Sequence, residues 1–238
     1  MAGHSKWAQI KRQKAITDAK KGATYGKYSR ALTSIARQGG ADPDGNFRLR
    51  SMILQAKSEG VPAEVIDRAL KKASEQGGPA DEELRYEAIG PHGSQLLIAV
   101  QTDNRNRTVA ILRELLSRAG GNLAANGAVS WNFELIGELV LQLKPEELST
   151  VTEELMLVAG IDDLLPDEET GELTIHCALS ALEALAGQLN DRYQLTTARP
   201  SYRPLGTGEF SEQQLLDIAT LVGRLNAEDD IQELWTNV

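Results

Sequence analysis

The residues most able to do chemistry in this chain are cations near its start. Gly3-His4-Ser5-Lys6-Trp7 opens a run in which Lys6, Lys11, Arg12, Lys14, Lys20 and Lys21 share the segment with a single carboxylate, Asp18. A lysine or arginine can neutralise a phosphate and release its condensed counterion, and an indole can stack on a base. His4, Lys6 and Trp7 are therefore candidates to meet phosphate and base together, and Lys27 and Arg30 extend the set. The competing reading is a solubilising face with Trp7 in a core. For the cations, the density of like charge exceeds what solubility needs and favours a polyanion. For Trp7, stacking and packing stand level, because aromatic side chains are usually largely buried.

A second constellation is Asp103-Asn104-Arg105-Asn106-Arg107-Thr108, between a strand-like and a helix-like segment. Asp103 or Asn104 suits a helix N-cap. Arg105 and Arg107 would then lie beside free backbone N–H groups, a secondary anion site. The alternative, weighed somewhat more heavily, is an ordinary turn whose arginines pair with nearby carboxylates.

Nothing in the sequence has the form of a catalytic centre. Phosphate-loop and nucleophile-elbow motifs are absent. His4, His92, His176 and Cys177 lack metal-ligand spacing. The Gly120–Gly127 run follows a helix and precedes a strand, the wrong order for a dinucleotide fingerprint. Glu82-Glu83, Glu146-Glu147 and Asp167-Glu168-Glu169 fall in loops or helix starts, where carboxylates are favoured anyway. The expectation is a non-enzymatic protein with no catalytic residue, no metal and no cofactor.

The 238 residues allow one to three domains. One cysteine precludes a disulfide framework and fits a reducing compartment. No apolar run approaches the roughly 20 residues that span a bilayer, and no signal-peptide core follows the basic N-terminus. A cytoplasmic protein without a membrane partner is expected. The overall charge of −9 conceals a segregation: residues 1–72 hold 15 Lys and Arg against 6 Asp and Glu, a net of +9, and the other 166 hold 10 against 28, a net of −18. Such asymmetry points to a polyanion partner for the basic part alone.

The elements that must position these residues follow from periodicity. Residues 1–76 read as all-helical: Ser5 to Lys20; Tyr25 to Arg37, with Tyr28, Leu32, Ile35 and Ala36 on one face; Asn46 to Glu59; and a last helix after Pro62 carrying Val65, Ile66, Ala69, Leu70 and Ala73. Gln76-Gly77-Gly78-Pro79 reads as a linker. Strands are then expected at 85–89, 95–102, 128–135 and 137–143, with a helix at 103–119. A helix from Pro145 to Ala159, a hairpin of 161–165 with 172–177, a helix at 180–189 and a strand at 194–199 follow. Trp131 and Trp235 fall in strands and are expected in the core. Gly120–Leu123 reads as a helix C-cap and tight turn.

The expected class is α+β multidomain: a helical N-terminal domain followed by two ferredoxin-like α+β domains, the second inserted in the first. Residues 136–203 give a complete βαββαβ unit. The segments 79–135 and 204–238 are each incomplete, so they are expected to form one discontinuous domain around it, after a basic helical domain at 1–78. Simple sequential division is the rival; insertion is preferred because residues 211–238 read as one helix and a final strand, Ile231–Val238, which unpaired would leave an open edge.

Several of these segments resemble the YebC/PmpR family: Met1–Trp7, Gly40–Asp44, Arg48-Leu-Arg50, Tyr86-Glu87, Gly90-Pro91, Asp103–Ala110 and Gly120–Leu123. The resemblance is close over the first 135 residues and weaker to Ile231-Gln232-Glu233. It departs at Pro91-His92-Gly93, where the family often has Gly-Pro-Gly-Gly. It implies a helical domain and two α+β domains, and a DNA-binding transcriptional regulator. Mitochondrial relatives resemble translational activators, so ribosomal RNA and the ribosome are the alternative partners. No dimeric, operator-reading architecture is evident, and a monomer is expected.

The Gly-Gly-Pro linker and the abrupt change of charge lead to a first test. Limited proteolysis of the full chain should cut within a few residues of Gly77–Pro79 before any other site. Earlier cleavage in the loops after residue 82 would contradict this boundary.

Overall fold

The computed structural model describes residues 21–74 and 82–238; the expected helix from Ser5 to Lys20 and the linker lie outside them. The described residues separate into two compact units, one of residues 21–31, 82–134 and 203–238, the other of 32–74 and 135–202. Three helices come first: α1 (Lys21–Gly39), α2 (Phe47–Ser58) and α3 (Ala63–Ser74).

The first unit is built on a β-hairpin. β1 (Glu82–Ile89) and β2 (Gln95–Thr102) pair antiparallel over their whole length, from Glu82 opposite Thr102 to Ile89 opposite Gln95. α4 (Arg105–Arg118) follows, and β3 (Asn122–Leu123) returns to pair with Ala88 and Ile89 of β1. The chain comes back to this unit with α7 (Glu212–Asn226) and β8 (Ile231–Thr236), which pairs antiparallel with β2. The sheet order is β3-β1-β2-β8. Alternation in β2 sends Leu96, Ile98 and Val100 to one face. There they meet Leu112 and Leu116 of α4 and Ile218, Leu221, Val222 and Leu225 of α7, spaced as helix faces require. This unit's own element order is ββαβ and then αβ, rather than the βαββαβ of a ferredoxin-like domain.

The second unit contains α2 and α3. Asn46 caps α2 by accepting from Leu49 N–H at 3.1 Å. Thr33 Oγ1 donates to the Ala69 carbonyl of α3 at 3.2 Å. The rest is β4 (Phe133–Gln142), α5 (Pro145–Leu155), β5 (Ile161–Asp167), β6 (Glu172–Cys177), α6 (Leu182–Asn190) and β7 (Gln194–Pro204). That is the βαββαβ order, with sheet order β5-β6-β4-β7. Its core gathers Leu139, Leu141, Leu155, Leu173, Ile175, Leu189 and Cys177, with Phe47 and Leu54 of α2 packed against it. Burial pushes the Cys177 thiol up to about 11, which keeps it a protonated core side chain.

Two expectations fail between 124 and 135. No separate strand occupies 128–135: the segment forms a short 3₁₀ turn at Ser130–Asn132, and one continuous strand, β4, begins at Phe133. The N–H groups that a strand would have given to a ladder go to the Glu87 carboxylate instead. Trp131, expected in the core, is 66 % exposed, with its Nε1 donating to the Ala128 carbonyl at 2.9 Å. Smaller differences are that α5 stops at Leu155 rather than Ala159, and that β7 runs on to Pro204. The C-cap reading of Gly120–Leu123 matches: Gly120 has φ +79°, and a Cβ on Gly121 would lie 2.4 Å from the Ile89 carbonyl oxygen.

Because α7 and β8 supply Ile218, Leu221, Val222, Leu225 and Ile231, residues 82–134 without them lack five of the eleven buried side chains of the first core. A chain truncated after Thr207 should lose the cooperative melting of the first unit and retain that of the second. An unchanged pair of transitions by calorimetry would contradict this.

Candidate nucleic-acid interface

Of the cations singled out in the sequence, Lys6, Lys11, Arg12, Lys14 and Lys20 lie outside the described residues, as do His4 and Trp7. Lys21, Lys27 and Arg30 fall on α1. Lys27 and Arg30, one turn apart, lie where the sequence holds few carboxylates and so suggests little internal pairing; the structure corrects this. Lys27 Nζ donates to the Asn226 carbonyl at 2.7 Å, at the C-terminal end of α7 where the helix dipole favours a cation. Arg30 donates through Nη2 to the Asp229 carbonyl and through Nη1 to the Asp230 carboxylate at 3.4 Å. The Arg30 carbonyl in turn accepts from Gln101 Nε2 at 3.1 Å. The partners lie about 200 positions away, so a count of neighbouring carboxylates could not find them.

The Asp103–Thr108 turn joins the same cluster. Asn104, not Asp103, is the N-cap, accepting from Arg107 N–H at 3.1 Å. Arg107 Nη2 donates to Asp103 at 2.8 Å and to Asp230 at 3.0 Å. Asp230 is buried and also accepts from Thr108 Oγ1 at 2.7 Å and Thr102 Oγ1 at 3.2 Å. Burial alone would raise its carboxyl, but the Thr108 hydroxyl and the Arg107 guanidinium outweigh that and hold it below the usual range. The Asp230 hydrogen bond raises Arg107 correspondingly. An open cleft is lined by Arg30, Arg107, Ile111 and the segment from Ala227 to Ile231. Arg105 is exposed at the start of α4. The alternative weighed from the sequence, arginines pairing with carboxylates, therefore describes Arg107.

A second arrangement was missed in the sequence. Glu87, within Tyr86-Glu87, is a buried carboxylate that accepts from the N–H groups of Gly127 and Val129, both at 2.7 Å, and of Ser130 at 3.0 Å. Burial raises its carboxyl, the three backbone donors lower it, and the net is a carboxyl below its ordinary value. The one sequence signal was an acid inside a β-strand that also carries a family motif. Its clasp holds the uncharged Gly120–Phe133 segment, which carries the exposed Trp131. Asn132 secures the other side through Gly206 N–H and carbonyl, both at 2.8 Å. His92 occupies the left-handed region, φ 59°, and its Nε2 lies 2.9 Å from Asp217 Oδ2. Among the described residues no group of three His, Cys, Asp or Glu could hold a metal ion, and no helix is long and apolar enough to cross a membrane.

Comparison with known proteins places these features in one family. Residues 5–76 match the TACO1/YebC protein N-terminal domain, and residues 81–238 match the TACO1/YebC second and third domain. A probable transcriptional regulatory protein of Synechococcus sp. (strain JA-3-3Ab) is 43 % identical over 245 residues, covering 100 % of this chain and 95 % of its own. Another protein so named, from Thermosynechococcus vestitus, is 40 % identical over 243 residues, covering 100 % and 95 %. The crystal structure of a conserved hypothetical protein from Aquifex aeolicus superposes with a TM-score of 0.81 at 32 % identity, covering 94 % of this chain and 92 % of that one. The chain belongs to the TACO1/YebC family.

The Glu87 clasp makes a pH-dependent prediction. A carboxyl lowered by folding stabilises the native state fully above its unfolded pKa of about 4.3, and this is lost as pH falls through the lower folded value. Glu87→Gln should therefore destabilise the first unit at neutral pH by about 2 kcal/mol, the scale of a charge-assisted hydrogen bond to a buried acceptor. The gap from wild type should narrow only below about pH 4. Denaturant melts across pH check both parts; a constant gap down to acid pH would contradict the assignment.

Proposed function

We propose that this chain is a non-enzymatic, cytoplasmic nucleic-acid-binding regulator of gene expression, acting on DNA as a transcriptional regulator through its basic N-terminal segment. The observation that carries the reading is the segregation of charge, +9 in residues 1–72 against −18 in the remainder. A polyanion gains counterion-release energy on the first part and is repelled by the second, so contact is confined. Relatives that cover the full chain carry the name probable transcriptional regulatory protein, which supports the regulator role. The residues assigned are His4, Lys6, Trp7, Lys11, Arg12, Lys14, Lys20, Lys21, Lys27 and Arg30, with Arg105 and Arg107 as a secondary anion site. The domain division proposed with it is 1–78, 79–135 with 204–238, and 136–203 as an inserted ferredoxin-like unit. Direct pairing of β8 with β2 supports the discontinuous part.

A second reading is a translation factor contacting ribosomal RNA. It is favoured by the basic segment on an acidic body, an arrangement that suits an RNA backbone as well as DNA. Sequence-specific binding to a promoter fragment at physiological salt supports the first reading. Salt-reversible, DNase-resistant co-sedimentation with ribosomes supports the second.

If about five cations neutralise phosphates, log K should fall with log[salt] at a slope of roughly −3.5 to −4.5. Lys11, Arg12 and Lys14 changed together to Glu should weaken binding on every sequence and flatten that slope. Unchanged affinity and slope in the triple variant would leave the basic segment as a solvated face and refute the proposal.

A further inference from the structure

The cluster around Asp230 places three cations of the first unit on anionic or carbonyl oxygens of the same unit. Arg107 bridges Asp103 and Asp230, Arg30 reaches Asp230 and the Asp229 carbonyl, and Lys27 sits on the Asn226 carbonyl. The two guanidinium groups are nevertheless open to solvent: their side chains are 33 % and 47 % exposed, against 8 % for Asp230, and both line the cleft beside residues 227–231. Such cations are accessible to an incoming phosphate but already hold a carboxylate in the place a phosphate would take. Carboxylate and phosphate compete for the same planar fork of donors.

We infer that the Asp103–Asp230 pair is an intramolecular phosphate mimic, an autoinhibitory latch that nucleic acid must displace from Arg107 and Arg30 before they contribute to binding. The inference rests on the nucleic-acid reading given above and deepens it by naming the residues that set affinity. Loss of one carboxylate of the latch leaves Arg107 held by the other alone, so a phosphate completes the displacement at lower cost and one more phosphate is neutralised. That steepens the salt slope by roughly 0.7 to 0.9 and tightens binding about fivefold at 0.1 M salt. The latch also costs little to open at Asp103, whose side chain is 52 % exposed, and more at buried Asp230.

The experiment is fluorescence anisotropy of the full chain with a labelled mixed-sequence single-stranded RNA and with a DNA duplex, across a salt series. The variants are Asp103→Asn, Asp230→Asn and, as a control for net charge, Glu168→Gln in the exposed β5–β6 turn. Asp230→Asn keeps an oxygen for Thr102 and Thr108, and thermal melts report whether it folds; Asp103→Asn decides the question where it does not. The latch predicts that Asp103→Asn and any folded Asp230→Asn tighten binding and steepen the slope beyond Glu168→Gln. It also predicts that the Asp103→Asn gain vanishes in an Arg107→Met background. Wild-type binding with no gain over Glu168→Gln, or a gain that survives Arg107→Met, overturns the latch alone. No binding by wild type or variants overturns the nucleic-acid reading together with it.

Discussion

A carboxylate can be removed from water only if donors replace the water it loses, and Asp230 shows how much structure that requirement organises. Two hydroxyls, from Thr102 at the end of β2 and Thr108 in α4, hold one oxygen, while Arg107 bridges both oxygens and Arg30 of α1 reaches the other. The residue itself stands immediately before β8. One buried charge thus fixes the β2–α4 turn, the entry of the last strand and the seat of the first described helix. Removing one partner from a buried pair typically costs about 3–5 kcal/mol, more than most single contacts in the unit can supply. Glu87 does the same on a smaller scale for the loop before β4, with backbone N–H groups as the donors.

Asp230 bears on the proposed function through charge. On the proposed reading the acidic majority of the chain restricts a polyanion to the basic segment, and one of its acids, Asp230, is also the internal partner of Arg30 in that segment. The protein therefore presents a graded set. Residues 6–21 have few carboxylates nearby in sequence, Lys27 and Arg30 are engaged, and Arg107 is held between two acids. On the proposed reading a phosphate backbone meeting this set would gain affinity without reading bases, as expected of contacts that position rather than specify.

Much of the architecture was legible because it rests on local pattern. The alternation of Gln95–Thr102 and Glu172–Cys177 gave strands with the observed bounds, and the βαββαβ order of the middle segment follows from periods of 2 and 3.6. What was not legible depends on partners far away in the chain. Ala128–Leu135 has strand-like composition, yet Glu87, some forty residues earlier, draws its N–H groups into a turn and turns Trp131 outward. Lys27 and Arg30 looked free because their partners are residues 226–230. At the proposed interface, the cation run is visible in composition alone, whereas the Asp230 cluster had no local signature beyond three acids before a strand.

The most direct test of the account is ultraviolet crosslinking in cells, with the attached nucleic acid sequenced and the crosslinked peptides identified by mass spectrometry. The account predicts crosslinked nucleotides on peptides that span Lys6–Lys21, extending to Lys27 and Arg30, and few or none on residues 136–203. Crosslinks concentrated on the acidic units, or no nucleic acid on the N-terminal peptides, would contradict it.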